Sequence, residues 1–196
     1  MAGPRGEYRK SAARRAQILD AAVEVFARTG YTGSSVSEIA RVVGVSQTAV
    51  LHHFEGGKTA LLMAVLEQRD ALAVGALADH HGRAFIAELV EISRRQAAQR
   101  GVVQLYHVLS TEATAPDHPA HEYFRTRIGR ILEGTTQAFA EARDAGDLKP
   151  GVDPHHAALS TLAMVEGLEM LWLNGLDVDM AEDIRHHIDQ FLAAPL

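Results

Sequence analysis

The sequence contains no cysteine, so neither a disulfide framework nor a thiolate metal site can be built from it. It also has no uninterrupted apolar run near the roughly 18 to 20 residues that a membrane span requires. The basic start MAGPRGEYRKSAARR has no apolar stretch of signal-peptide type behind it. Membrane insertion and secretion are therefore not expected, and the expected location is the cytoplasm. The G-x-S-x-G, H-E-x-x-H and P-loop patterns are missing too, and with them a recognisable nucleophile, metal-bound base or phosphate cradle. An enzyme is not expected, and no cofactor. Nor is there a general excess of basic charge: the formal net charge is −6, which argues against a protein that is basic all over and binds nucleic acid by that alone.

What is present is 196 residues, 47% of them hydrophobic and 22% charged, enough for a sizeable core in one large or two small domains. The charge is unevenly placed. Met1 to Lys58 holds eight Lys/Arg against five Asp/Glu, a net +3, while the remainder carries −9. The N-terminal part alone has the sign of a phosphate-facing surface.

The apolar period is helical almost everywhere, and no segment sustains the period-two alternation of a strand, so the fold is expected to be all-α with about nine helices. A first helix over about Ser11 to Thr29 has Ile18, Ala22, Val25 and Phe26 on one face and Gly30 just past its end. Ser35-Val36-Ser37-Glu38 is an S-x-x-E capping box that opens a second helix, about Val36 to Val43, with Val36, Ile39, Ala40 and Val43 as its buried edge. Gly44 can take the positive φ that ends it within one residue, and Ser46 is an N-cap for a third helix, Gln47 to His53. Two short helices joined by so tight a turn make a helix-turn-helix. In the third, Val50 and Phe54 face inward, which leaves Gln47, Thr48, His52 and His53 as an outward hydrogen-bonding group able to reach base edges or phosphates.

The stretch RRAQILDAAVEVFARTGYTGSSVSEIARVVGVSQTAVLHHFEGGKTALL resembles the DNA-binding region of TetR-family transcriptional regulators. The resemblance runs from the A-x-x-x-F-x-x-x-G-Y pattern of the first helix to H-F-x-x-K-x-x-L-L, and covers about Arg14 to Leu66. Two departures stand out. Leu51 occupies the place where the family commonly has a phosphate-contacting Tyr, and Glu55-Gly56-Gly57 inserts one residue before Lys58. The DNA-contacting set is expected to be Gln47 and Thr48 at base edges, with Ser35, Ser37, Ser46, His52, His53 and Lys58 at phosphates or supporting positions. The domains are expected to be 1–57 for DNA binding and 58–196 for effector binding and dimerisation.

Beyond Lys58, a fourth helix to about His80 carries Leu61, Leu62, Val65, Leu66 and Leu72 on its apolar side. Helices follow at about 83–100, 102–114 and 120–145, with breaks at Ala115 to Pro119 and Gly146 to Val152. Asp153-Pro154 then starts a helix to about Asn174 that is apolar on much of its circumference, and a last helix spans about Met180 to Leu192 with Ile184, Ile188, Phe191 and Leu192 as a stripe. The resemblance implies a homodimer through the last two long helices, a double-stranded DNA operator that is palindromic, a repressor role, and a small-molecule effector whose pocket lies among the C-terminal helices. Tyr106, Phe124, Phe139, Met164 and Trp172 are the pocket-lining expectations, and each can equally be plain core.

Eleven histidines, with adjacent pairs at 52/53, 80/81, 155/156 and 186/187, raise a metal-responsive regulator as an alternative. Helical neighbours diverge by about 100°, which suits chelation poorly, and His118-x-x-His121 lies at a Pro-rich break. No metal site is expected. A helical interaction protein without DNA binding is the other alternative, opposed by the charge partition and the intact helix-turn-helix. Glu166 and Glu169, on the eighth helix, are read as interface hydrogen-bonders or ligand partners rather than catalytic acids.

Overall fold

The computed structural model describes residues 4–77 and 79–196, with side chains described from residue 9 onward except at 69 and 71–76. Leu72, expected on the apolar side of the fourth helix, lies outside the described side chains. The described residues form α1 (Pro4–Thr29), α2 (Val36–Val43), α3 (Gln47–His53), α4 (Gly57–Leu77), α5 (Gly82–Gln96), α6 (Arg100–Glu112), α7 (His121–Asp144), α8 (Pro154–Leu173) and α9 (Met180–Asp189), with no strand. No helix among them is long and apolar enough to cross a membrane.

The chain divides into two contact units, one of residues up to Ala71 with Gln104–His121, the other of Leu72–Val103 with Glu122–Leu196. This partition differs from a cut at residue 57, because the start of α4 and most of α6 belong with the N-terminal helices. In the first unit α1 begins at Pro4 rather than Ser11, a proline being tolerated in a helix's first turn. Ile18, Ala22, Val25 and Phe26 of α1 are fully buried, as are Ile39 of α2 and Val50 of α3. Helices of eight and seven residues are not stable alone, so α2 and α3 exist by virtue of this burial and their caps.

Those caps are well formed. Ser35 accepts from the Glu38 N–H at 3.1 Å and Ser46 from the Ala49 N–H at 3.1 Å. The reciprocal half of the expected capping box is not made: the Glu38 carboxylate pairs instead with Arg28 of α1 at 2.6 Å, a charged partner outbidding a backbone amide. Gly44 ends α2 with φ 74°. A Cβ there would meet nothing within 4 Å, so the requirement for glycine is conformational rather than one of space. Gly56 and Gly57, the site of the extra residue, both have positive φ and turn the chain from α3 into α4.

The second unit has its core between α5, α7, α8 and α9, centred on Ile86, Val90, Phe139, Ala157, Ile184 and Ile188. Asp153 caps α8 by accepting from the His156 N–H at 2.7 Å, with Pro154 at the first helical position. Arg100 closes the other end of α8, donating to the carbonyls of Trp172 (3.4 Å) and Leu173 (2.7 Å). α9 stops at Asp189, before the expected Leu192, because the chain leaves the helix to pair with 147–149: Lys149 N–H donates to Phe191 O at 2.9 Å and Ala193 N–H to Asp147 O at 2.8 Å. α8 is apolar on two faces. Leu168 is buried, while Leu159, Met170 and Leu171 are exposed.

Candidate nucleic-acid interface

The inward edge of α3 is Val50 and, at its C-cap, Phe54, over whose ring the Arg15 guanidinium sits at 4.7 Å. With that edge committed, Gln47, Thr48, Leu51 and His52 are exposed and His53 is half-buried. Four of the residues expected from sequence therefore share one short helix. Leu51, set aside because it replaces a Tyr, lies four residues from Gln47 on the same exposed surface, an i,i+4 relation already present in the sequence. Its apolar end offers a contact for a thymine methyl rather than a phosphate.

The three serines differ in how they are used. Ser35 and Ser46 are exposed N-caps that accept through their side-chain oxygens, which leaves each hydroxyl proton able to donate to a phosphate. Ser37 donates to the Gln47 carboxamide oxygen at 2.7 Å and so ties the start of α2 to the start of α3.

Lys58 lies in a more elaborate setting than an exposed phosphate anchor. Its ammonium donates to the Tyr31 carbonyl at 2.8 Å and the Ser34 carbonyl at 3.0 Å, and sits 4.2 Å from the Tyr31 ring centre. Two of its three donors are thus engaged within the protein. Tyr31 is a junction that sequence reading missed: its N–H donates to Glu112 at 2.6 Å, the neighbouring Thr32 N–H does so at 3.3 Å, and its hydroxyl is 2.9 Å from Thr59 Oγ1. Glu112, the last residue of α6, thereby fixes the loop that precedes the helix-turn-helix. Gly30 has φ 70°, and a Cβ there would run into the Glu112 carboxylate, so glycine serves both the turn and the close approach.

His118 packs edge-on against Tyr31 with ring centres 5.1 Å apart. Its Nδ1 accepts from the Ala120 N–H at 3.2 Å, which puts the proton of the neutral ring on Nε2, 3.9 Å from Glu112. Burial lowers its pKa, against the opposing pull of Glu112 and Asp117. His121 Nδ1 lies 2.8 Å from the Ala113 carbonyl. One nitrogen of each ring in the H-x-x-H pair is therefore turned to the backbone.

The five residues expected around an effector are divided between the two units. Tyr106 belongs to the first unit, where its hydroxyl donates to Asp70 at 3.3 Å. Phe139 is fully buried in the second unit's core, edge-on to Phe191 at 6.0 Å, and Met164 and Trp172 pack against the same core. Trp172 also lies under the Arg100 guanidinium at 5.1 Å. Phe124 is buried beside Tyr123, ring centres 5.1 Å apart. Glu169 of α8 is buried, and that burial, reinforced by the neighbouring Glu166 charge and opposed by Arg127, pushes its pKa up to about 7.

Residues 18–65 match the family described as bacterial regulatory proteins, tetR family. The chain is similar to the HTH-type transcriptional regulator TtgR of Pseudomonas putida, 28% identical over 191 residues that cover 89% of this chain and 88% of that protein. It is 41% identical over 71 residues to the HTH-type transcriptional repressor Rv1474c of Mycobacterium tuberculosis, covering 36% of this chain and 37% of that one. Among solved structures it is similar to NalD of Pseudomonas aeruginosa, described as the secondary repressor of the MexAB-OprM multidrug efflux pump, with a TM-score of 0.70 at 25% identity over 94% of this chain and 98% of that chain.

Proposed function

We propose that the chain, whose residues 18–65 match the tetR family of bacterial regulatory proteins, is a transcriptional regulator of that family that represses transcription by binding a palindromic operator as a homodimer, and that a small molecule releases it. The observation that carries this reading is the exposed face of α3, where Gln47, Thr48, Leu51 and His52 stand together on a helix anchored by Val50, Phe54 and the Ser46 cap. One such helix reaches only a few base pairs. Two copies spaced about 34 Å apart by a two-fold axis read both halves of a palindrome and multiply modest affinities.

The dimer contact we assign to α8 and α9. Leu159 and Met170 are exposed on α8 and eleven residues apart, which brings them to the same side of the helix three turns from each other, with Leu171 beside Met170. A second copy would cover them. The functional domains are then 1–57 for DNA binding and 58–196 for dimerisation and effector binding. A repressor role is the one named for the similar Rv1474c and NalD.

The test is fluorescence anisotropy with labelled duplex from upstream of the protein's own gene, titrated against unlabelled random duplex at two salt concentrations. Tight binding that survives competitor, at one or two dimers per site, is the expected result. Equal loss of binding on every sequence would overturn the proposal.

A further inference from the structure

Gln47 is a constrained reader. Its Oε1 accepts from Ser37 Oγ at 2.7 Å across the α2–α3 turn, and both side chains are exposed. The two backbones that hold them are fixed independently. Ser37 is the second residue of α2, pinned by the Ser35 cap and the Arg28–Glu38 pair, and Gln47 is the first residue of α3, pinned by the Ser46 cap.

A glutamine that reads adenine bidentately must give Oε1 to the N6 amino group and Nε2 to N7. With Oε1 already holding the Ser37 hydroxyl, the hydrogen-bonding capacity left to the amide is two Nε2–H donors against one Oε1 lone pair, so donation predominates. The purine edge that offers two acceptors side by side in the major groove is guanine, with O6 and N7. Resting on the operator-binding reading above, we propose that Ser37 sets the polarity of the Gln47 amide so that α3 reads guanine at the half-site position Gln47 faces. Ser37 acts through Gln47 and is a positioning residue. The reverse pairing, Nε2 donating to Ser37 Oγ, would turn Oε1 outward and select the donor edges of adenine or cytosine, so the base chosen reports the amide's orientation.

The experiment is selection from a random duplex library by the full-length protein and by Ser37→Ala, Ser37→Thr and Gln47→Ala, with sequencing of the bound fraction. Melting curves of all four confirm folding, which substitution of exposed side chains leaves intact. The wild type is expected to enrich guanine at one position of each half-site. Ser37→Ala lets the amide rotate, and the ratio of adenine to guanine there rises by about tenfold, in line with the discrimination a bidentate contact supplies. Ser37→Thr keeps guanine, and Gln47→Ala loses the preference at that position while the rest of the motif survives. A palindrome with adenine or cytosine at that position in the wild type, or an unchanged profile for Ser37→Ala, would overturn the inference and leave operator binding standing. Absence of any enriched motif would overturn both.

Discussion

α3 and α8 expose opposite chemistry for opposite reasons. α3 is seven residues long and needs little more than Val50 and Phe54 to hold it, so the rest of its surface is available to a polar, hydrogen-bonding partner. α8 is twenty residues long, buries one face in its own unit and still leaves Leu159, Met170 and Leu171 exposed, which suits an apolar partner of its own kind. The contrast extends to charge. The first unit uses its ion pairs and ammonium to fix loops around the helix-turn-helix, whereas α8 holds a buried carboxyl, Glu169, whose ionisation is resisted.

The largest effect is expected on α8. Glu169 has its pKa raised from 4.5 to about 7, so the folded state binds the proton more tightly than the unfolded chain does. Stability from this group is therefore fully present below about pH 4.5 and is lost as pH rises through about 7, a loss of about 3 kcal/mol. Glu169→Gln should melt close to the wild type at pH 5 and higher than it at pH 8. Equal shifts at both values would show that the carboxyl is not held neutral by the fold.

The next effect falls on the first unit. Glu112→Ala strands the Tyr31 and Thr32 N–H groups and should cost about 2 kcal/mol in chemical denaturation. A negligible cost would reduce the α6 end to a neighbour of the reading head rather than its brace. The smallest is Lys58→Ala. If its third donor meets a phosphate, the slope of log affinity against log salt flattens by about one unit; an unchanged slope would confine the ammonium to the Tyr31 and Ser34 carbonyls.

The same contrast explains what could be read in advance. Caps and helix ends are written in adjacent residues, so Ser35, Gly44 and Ser46 were legible and α2 and α3 take the expected bounds. The exposed face of α3 followed from them, because with Val50 and Phe54 inward the polar side chains Gln47, Thr48 and His52 are left outward. Contacts between distant residues leave no local trace: Glu112 lies 81 positions from Tyr31, and the Lys58 ammonium reaches back 27 to the same residue. Glu38 satisfied the capping-box pattern yet serves Arg28, ten residues away. The expected pocket residues were chosen by type alone, and aromatic or Met side chains fill core as readily as they line a cavity, which is the use the fold makes of Phe139.

The central claim is that α3 reads base sequence, and the direct measurement is operator discrimination by the double variant Gln47→Ala with Thr48→Ala. Affinity for the selected operator and for random duplex is measured side by side, with the dimer checked by sedimentation. The expected result is a fall of the specific-to-random ratio by tenfold or more, about 1 to 3 kcal/mol, with random binding and dimerisation intact. An unchanged ratio would contradict the account and move sequence recognition away from α3.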